Sequence, residues 1–178
     1  MRKLRNDELG RLTPEEAKKV KKNPLVIVLD NIRSMHNIGS AFRTADAFLC
    51  EKILLCGITA QPPHREIHKT ALGSTETVEW EYYENTTNAI DDLKQQGYKI
   101  ASIEQADKSI SLEKFDIEGI EKLALVFGNE VKGVTDSVVV ASDHVIEIPQ
   151  FGTKHSINIS VSIGIVVWDL ICKLKFKT

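Results

Sequence analysis

Three segments of the chain concentrate the residue types that do chemistry. The first runs Asp30-Asn31-Ile32-Arg33-Ser34-Met35-His36-Asn37-Ile38-Gly39 and leads into a helical pattern carrying Arg43 and Thr44. The second is Gly128-Asn129-Glu130-Val131-Lys132-Gly133, and the third is Pro149-Gln150-Phe151-Gly152-Thr153-Lys154-His155-Ser156-Ile157-Asn158. All three are dense in Asn, Gly, Ser and charge, and each follows an almost wholly apolar run. Polar groups gathered beyond the ends of apolar strands mark a ligand site, because ligands of open α/β sheets sit outside the carboxyl ends of the strands.

Several familiar chemistries fail against these segments. Gly128 to Gly133 has the spacing of a phosphate loop, but Val134 stands where the essential Lys belongs. No Gly-x-Gly-x-x-Gly follows the first apolar run, and no Gly-x-Ser-x-Gly nucleophile elbow occurs. His64 and His68 lie four apart, but Arg65-Glu66 between them gives no His-Glu-x-x-His. They read as surface histidines, and no metal is expected.

The elements that position these segments follow from the pattern around them. Leu25-Val26-Ile27-Val28-Leu29 is a continuous apolar run of strand length, as required when both faces of a parallel sheet are covered. Similar runs recur at Lys52–Cys56, Tyr98–Ile103, Leu123–Phe127 and His144–Ile148. Helical patterns fall between them at Asn37–Leu49, Thr86–Gln96 and Thr135–Ala141, with a long last helix from about Ser156 to Lys173. Strands alternating with helices predict an α/β domain with a mostly parallel sheet and helices on both faces. Thr13-Pro14-Glu15-Glu16 is a capping box, so a short helix is expected to run from there to about Lys22. The organisation expected is a basic extension over residues 1–24 followed by one domain over 25–178.

Composition fits that reading. With 178 residues, 42% hydrophobic and 27% charged, the chain is of single-domain size and of globular rather than disordered or fibrous type. No apolar run reaches the roughly 18 residues of a membrane span, and the basic start lacks an apolar signal core. Cys50, Cys56 and Cys172 are odd in number and form no Cys-x-x-Cys, which suits reduced thiols and a cytoplasmic location. The net charge of −2 hides an uneven distribution: residues 1–24 carry eight Lys/Arg against four acids, leaving −6 on the rest. A basic arm on an acidic body can serve a polyanion, and equally can be a solvated amphipathic helix. Ser156, Ser160 and Gly164 recur at spacing four in the last helix, which allows close packing either on the sheet or on a second subunit.

Taken in order, Asn37-Ile38-Gly39-x-x-x-Arg43-Thr44-Ala45, Phe127-Gly128-Asn129-Glu130-x-x-Gly133 and Ile148-Pro149-x-x-Gly152-x-x-x-Ser156-Ile157-Asn158 resemble the three signature motifs of the SpoU/TrmH family. These are RNA ribose 2′-O-methyltransferases of the SPOUT superfamily, and the resemblance spans about residues 25–172. It implies an α/β fold whose C-terminal part is tied in a trefoil knot, a topology that strand-and-helix patterns cannot reveal. It also implies a homodimer with the active site near the subunit interface, and S-adenosylmethionine as cofactor. On this resemblance the cofactor residues are Gly128, Asn129, Ile148, Gln150, Ser156, Ile157 and Asn158, with Ile103 and Glu104 covering the far side. Adenine is then read by main-chain groups around Ile148, Gln150 and Ile157. The catalytic set carried over is Asn37, Arg43, Glu130, Ser156 and Asn158.

Physical roles can be attached to these positions. Gly128, Gly133 and Gly152 let main chain approach a ligand or turn sharply. Ser156 and Asn158 open a helix and offer side-chain hydrogen bonds beside free N–H groups. Asn37 is either a brace for its loop or simply an N-cap. Arg43 matches the family's presumed catalytic arginine. A guanidinium is a poor base, so orienting an RNA phosphate and stabilising a developing alkoxide suit it better. Glu130 is expected to pair with Arg43 or Lys132. The third motif reads Ser-Ile-Asn where Leu is commoner in the middle, and in place of a separate RNA-binding domain there is the basic arm. The activity expected is methylation of a ribose 2′-hydroxyl in tRNA or rRNA. An RNA-binding protein of the same fold without turnover, and a nucleotide-binding α/β protein without RNA, are the competing readings.

Overall fold

A computed structural model describes residues 1–176. The apolar run near the start forms β1 (Asn23–Asp30), whose side chains alternate between two cores. Leu25, Ile27 and Leu29 face one and Val26 and Val28 the other, all at most 2% exposed. Burial on both faces explains why the run does not alternate with polar residues.

Six further strands join it: β2 (Cys50–Cys56), β3 (Glu79–Tyr83), β4 (Lys99–Ile103), β5 (Ile110–Ser111), β6 (Leu123–Phe127) and β7 (His144–Glu147). The order is β3-β2-β1-β6-β4-β7-β5 and every pairing is parallel. The helices are α1 (Pro14–Lys19), α2 (Met35–Ala47), α3 (Arg65–Ala71), α4 (Thr86–Gln95), α5 (Asp136–Ala141) and α6 (Ile159–Lys175). α2, α3 and α6 cover the Leu25 face, and α4 and α5 cover the Val26 face. The three-layer α/β architecture is the one the pattern predicts. Because β6 enters between β1 and β4, and β7 between β4 and β5, the carboxyl ends of β1, β6, β4 and β7 are neighbours. The three polar segments are therefore brought to one edge of the molecule.

Several boundaries differ from expectation. The sheet has seven strands instead of five. β3 lies at one edge, and its Glu-Trp-Glu-Tyr-Tyr sequence carries the charges with which edge strands avoid further pairing. β5, at the other edge, is only two residues long. α1 stops at Lys19 instead of Lys22, although its capping box forms as expected, with Thr13 and Glu16 each bonded to the other's backbone N–H. β1 starts at Asn23, whose backbone N–H and side-chain amide donate to the carbonyls of Leu49 and Phe48 at 2.8 and 2.6 Å. α3 is an element the sequence pattern does not predict, and His64 is its N-cap, accepting from the Glu66 N–H at 3.2 Å. α2 begins at Met35 under a Ser34 cap, which makes Asn37 the third helical residue and not the N-cap. α6 begins only at Ile159 and runs on to Lys175.

Candidate active site

The loops that follow β4, β6 and β7 enclose a cavity of about 920 Å³, within the range of ordinary small-molecule sites. Its walls include every residue assigned to the cofactor: Ile103, Glu104, Gly128, Asn129, Ile148, Gln150, Ser156, Ile157 and Asn158. Val139 and Val140 of α5 add apolar wall that lies outside the three motifs. The loop after β4 is tied to the loop after β7 by the Gln105 side chain, whose Nε2 donates to the His155 carbonyl at 2.9 Å. Asn158 is the N-cap of α6: its Oδ1 accepts from the backbone N–H and the hydroxyl of Ser160 at 2.8 and 2.6 Å. Ser156 stands ahead of the helix, on the cavity wall.

The Gly128–Gly133 loop is rigidly held, mostly by its neighbours. Asn129 and Gly133 exchange backbone hydrogen bonds at 2.9 and 2.8 Å, closing the loop on itself. A Cβ on Gly128 would lie 2.0 Å from the Gly133 carbonyl carbon, so closure of the loop by itself requires glycine here, on the cavity wall. Gly133 has φ +71°, and a Cβ there would meet a Glu104 oxygen at 2.1 Å. That same Glu104 Oε2 accepts from the Val134 N–H at 2.9 Å, while its Oε1 accepts from Gln105 N–H. Gly152 has open space where its Cβ would be, so crowding within the chain does not require glycine there.

Beneath the loop lies a node that belongs to none of the motif assignments. Asp30, at the end of β1, is fully buried. Its Oδ1 accepts from the Thr86 hydroxyl at 2.6 Å and from the Asn31 amide at 2.8 Å. Its Oδ2 accepts from the Thr135 N–H at 2.7 Å. Asn31, in the left-handed region at φ 59°, in turn presents its carbonyl to the Asn129 amide at 2.7 Å. The sequence does carry a signal for this node: an acid placed directly on five apolar residues must be buried with them and needs donors.

Glu130 does not pair with Arg43 or Lys132. Its carboxylate instead receives the N–H groups of Arg33 and Ser34, each at 3.2 Å, and the Asn37 amide at 3.1 Å. Burial raises its pKa, but hydrogen bonds from its own backbone, Arg33, Asn37 and Ser34 outweigh this and hold it below the ordinary carboxylate range. An anion at the start of α2 also meets the positive end of the helix. Glu130 thus couples the cavity loop to the helix that carries Arg43. Arg43 itself is exposed and lies apart from the cavity, on a separate depression of about 400 Å³ bordered by Ser40, Thr44, Phe48, Lys69 and Thr70. Within one copy of the chain, Asn37 and Glu130 are brought together and Arg43 is not brought to the cofactor residues. Gly39 of the first motif packs against α3, where a Cβ would lie 2.1 Å from the Thr70 hydroxyl.

The profile of the SpoU rRNA Methylase family matches residues 24–168. The chain belongs to that family. Among curated SpoU relatives it is 32% identical over 161 residues to the tRNA (guanosine(18)-2′-O)-methyltransferase of Borreliella burgdorferi, covering 90% of this chain and 72% of that one. It is 31% identical over 144 residues to the 23S rRNA (guanosine-2′-O-)-methyltransferase RlmB of Neisseria meningitidis, covering 81% of this chain and 56% of that one. Solved SpoU structures share the fold: the TrmH/SpoU tRNA modifying enzyme of A. aeolicus superimposes with TM-score 0.80 at 24% identity, over 92% of this chain and 81% of that one. AviRb from Streptomyces viridochromogenes, determined in complex with AdoMet, also gives TM-score 0.80, at 18% identity, over 90% and 64% of the two chains.

Other features of this SpoU chain bear on its site only indirectly. Burial pushes the Cys50 and Cys56 thiols up to about 12, which leaves them inert at neutral pH. Among the described residues, no helix is long and apolar enough to cross a membrane and no three of His, Cys, Asp and Glu converge as metal ligands.

Proposed function

We propose that this chain is an S-adenosylmethionine-dependent RNA methyltransferase acting on a ribose 2′-hydroxyl of tRNA or rRNA, as a cytoplasmic homodimer. The observation that carries the reading is the convergence of the second and third family motifs, with the loop after β4, on one cavity at the strand ends. The cavity suits the cofactor: Ile148, Ile157 and Val139 offer apolar wall for a flat base, and Glu104, Gln150 and Ser156 border polar space. When bound, the cofactor supplies an electrophilic methyl group. The loop fixed by Asp30, Glu104 and Asn129 holds its shape without the ligand, which lowers the ordering cost of binding. Arg43 donates to the RNA phosphate and to the oxygen that becomes negative as its proton leaves. Glu130 and Asn37 act on Arg43 by fixing the start of α2, and are positioning residues.

The surface of α6 supports the dimer. Val161, Ile165 and Trp168 are exposed along one side, and the Cβ position of Gly164 opens on empty space. Trp168 also touches Phe48, at the end of α2, with ring centroids 5.8 Å apart. Ser156 lies ahead of α6, so the stripe reduces to Ser160 and Gly164. For these the exposed apolar side favours packing on a second subunit, and a second copy docked here would cover the region beside Arg43 and complete the site. A trefoil knot in the C-terminal part belongs to the same reading, supported by the late entry of β6 and β7 between earlier strands. In the basic arm Arg2, Lys3, Arg5, Arg11, Lys18, Lys19 and Lys21 are all exposed, which leaves them accessible for phosphate contacts. Titration calorimetry with S-adenosylhomocysteine tests the cofactor assignment: saturable binding at one site per chain is expected, and absence of binding would overturn it.

A further inference from the structure

The depression around Arg43 is built from two helices. α2 supplies Ser40, Arg43 and Thr44, and α3 supplies Lys69 and Thr70. Two cations and the hydroxyls of Ser40 and Thr44 therefore border a space of about 400 Å³ with no acid in its lining, on a body whose residues 25–178 sum to −6; the Thr70 hydroxyl is committed to the His36 carbonyl. Lysine, arginine and hydroxyl side chains are the usual partners of nucleic-acid phosphates. We propose that this depression is a phosphodiester subsite for the RNA strand and that Lys69, which no motif contains, is its second cationic contact. The inference rests on the methyltransferase reading, since it takes the ligand to be the substrate RNA.

The helices are locked at the spacing the subsite needs. Gly39 of α2 admits Thr70 of α3 at a distance no side chain would allow, and the Thr70 hydroxyl donates to the His36 carbonyl at 3.0 Å. Arg43 makes no ion pair among the described residues, so its guanidinium is free for an anion. Lys69 is held by both carboxylate oxygens of Glu66, at 2.7 and 2.9 Å, and Glu66 also meets His36 Nε2 at 3.1 Å. Glu66 lies outside the lining and steers the ammonium without occupying the space. It also opposes the phosphate, so the two residues should act with opposite sign.

Fluorescence anisotropy with labelled bulk tRNA over a salt series reads this directly. Lys69→Gln is expected to weaken binding about threefold near physiological salt and to lower the log–log salt slope by about 0.7, the loss of one phosphate contact. Glu66→Gln is expected to tighten binding, because it removes the competing anion. In methylation assays Lys69→Gln should raise KM for RNA with kcat nearly unchanged, and neither variant should alter affinity for S-adenosylhomocysteine. A role confined to helix packing would instead lower thermal stability in both variants and shift RNA affinity the same way in both. An unchanged slope in Lys69→Gln, or weaker binding in Glu66→Gln, overturns the subsite. A protein that transfers no methyl but binds RNA with the Lys69-dependent slope would sink the enzymatic reading and leave the subsite standing.

Discussion

Replacing Asp30 by Asn changes one atom in the least accessible acid of the site, and its effect can be worked from three distances. The carboxylate accepts from Thr86 and Asn31 on one oxygen and from the Thr135 N–H on the other, at 2.6, 2.8 and 2.7 Å. An amide can satisfy the first pair through its single oxygen, but its NH₂ group then faces the Thr135 N–H, donor against donor. Each buried polar group left without a partner costs about 1–3 kcal/mol, so the pair should cost on the order of 3 kcal/mol. For a chain of this size that lowers Tm by about 10 °C. Thr135 directly follows the loop that lines the cavity, so Asp30→Asn should also weaken S-adenosylhomocysteine binding several-fold, measured well below the transition. Thr86→Val is the control: it removes one bond remote from the loop, should cost about 1 kcal/mol, and should leave the affinity intact. A Tm within about 2 °C of the parent refutes the energetic reasoning. A lowered Tm with unchanged affinity refutes the link from Asp30 to the cavity.

Two further outcomes follow from the same geometry. Asn158→Ala should weaken S-adenosylhomocysteine binding in calorimetry, whereas Arg43→Ala should leave it nearly unchanged, because Arg43 borders a different depression; Asn158→Asp keeps the helix cap and separates capping from ligand contact. Glu130 has its pKa depressed below 4.5 in the folded state, so its stabilisation is present above that value and is lost as pH falls through the folded pKa. In thermal melts from pH 6 down to pH 3, the deficit of Glu130→Gln relative to the parent should therefore shrink with falling pH, and a deficit that grew would reverse the assigned sign.

The sheet is readable in the sequence where burial is complete and unreadable where it is not. Leu25 to Leu29 and Leu123 to Phe127 are apolar at every position because helices cover both faces, and a run of that length and type suits little besides a central parallel strand. Glu79 to Tyr83 pairs on one side alone and keeps its charges, so it lacks the continuous apolar run of the central strands and only Trp80, Tyr82 and Tyr83 hint at a strand. α3 escapes a reading by pattern because it is short and starts on His64, a cap that composition does not suggest. The cavity wall is legible as the second and third polar segments, since α/β topology gathers those strand ends, whereas the first segment meets the wall through its bonds to Glu130 and Asn129. What the sequence does not convey is direction. Glu130 has cations available at Arg43 and Lys132, yet it turns to the N–H groups at the start of α2. Arg43, six residues beyond Asn37, lies nearly two turns along the helix, far enough to leave the cavity its motif points toward. Gly128 and Gly133 both fall in the loop as expected, but one closes the loop and the other makes room for Glu104.

Ribose methylation is decided by incubating the purified protein with methyl-labelled S-adenosylmethionine and unmodified tRNA or rRNA, then digesting the RNA to nucleosides. Label is expected in 2′-O-methylribose nucleosides, abolished or strongly reduced in Arg43→Ala. Label recovered on a base instead of a ribose, or no transfer to either RNA by a protein that binds S-adenosylhomocysteine, would contradict ribose methylation.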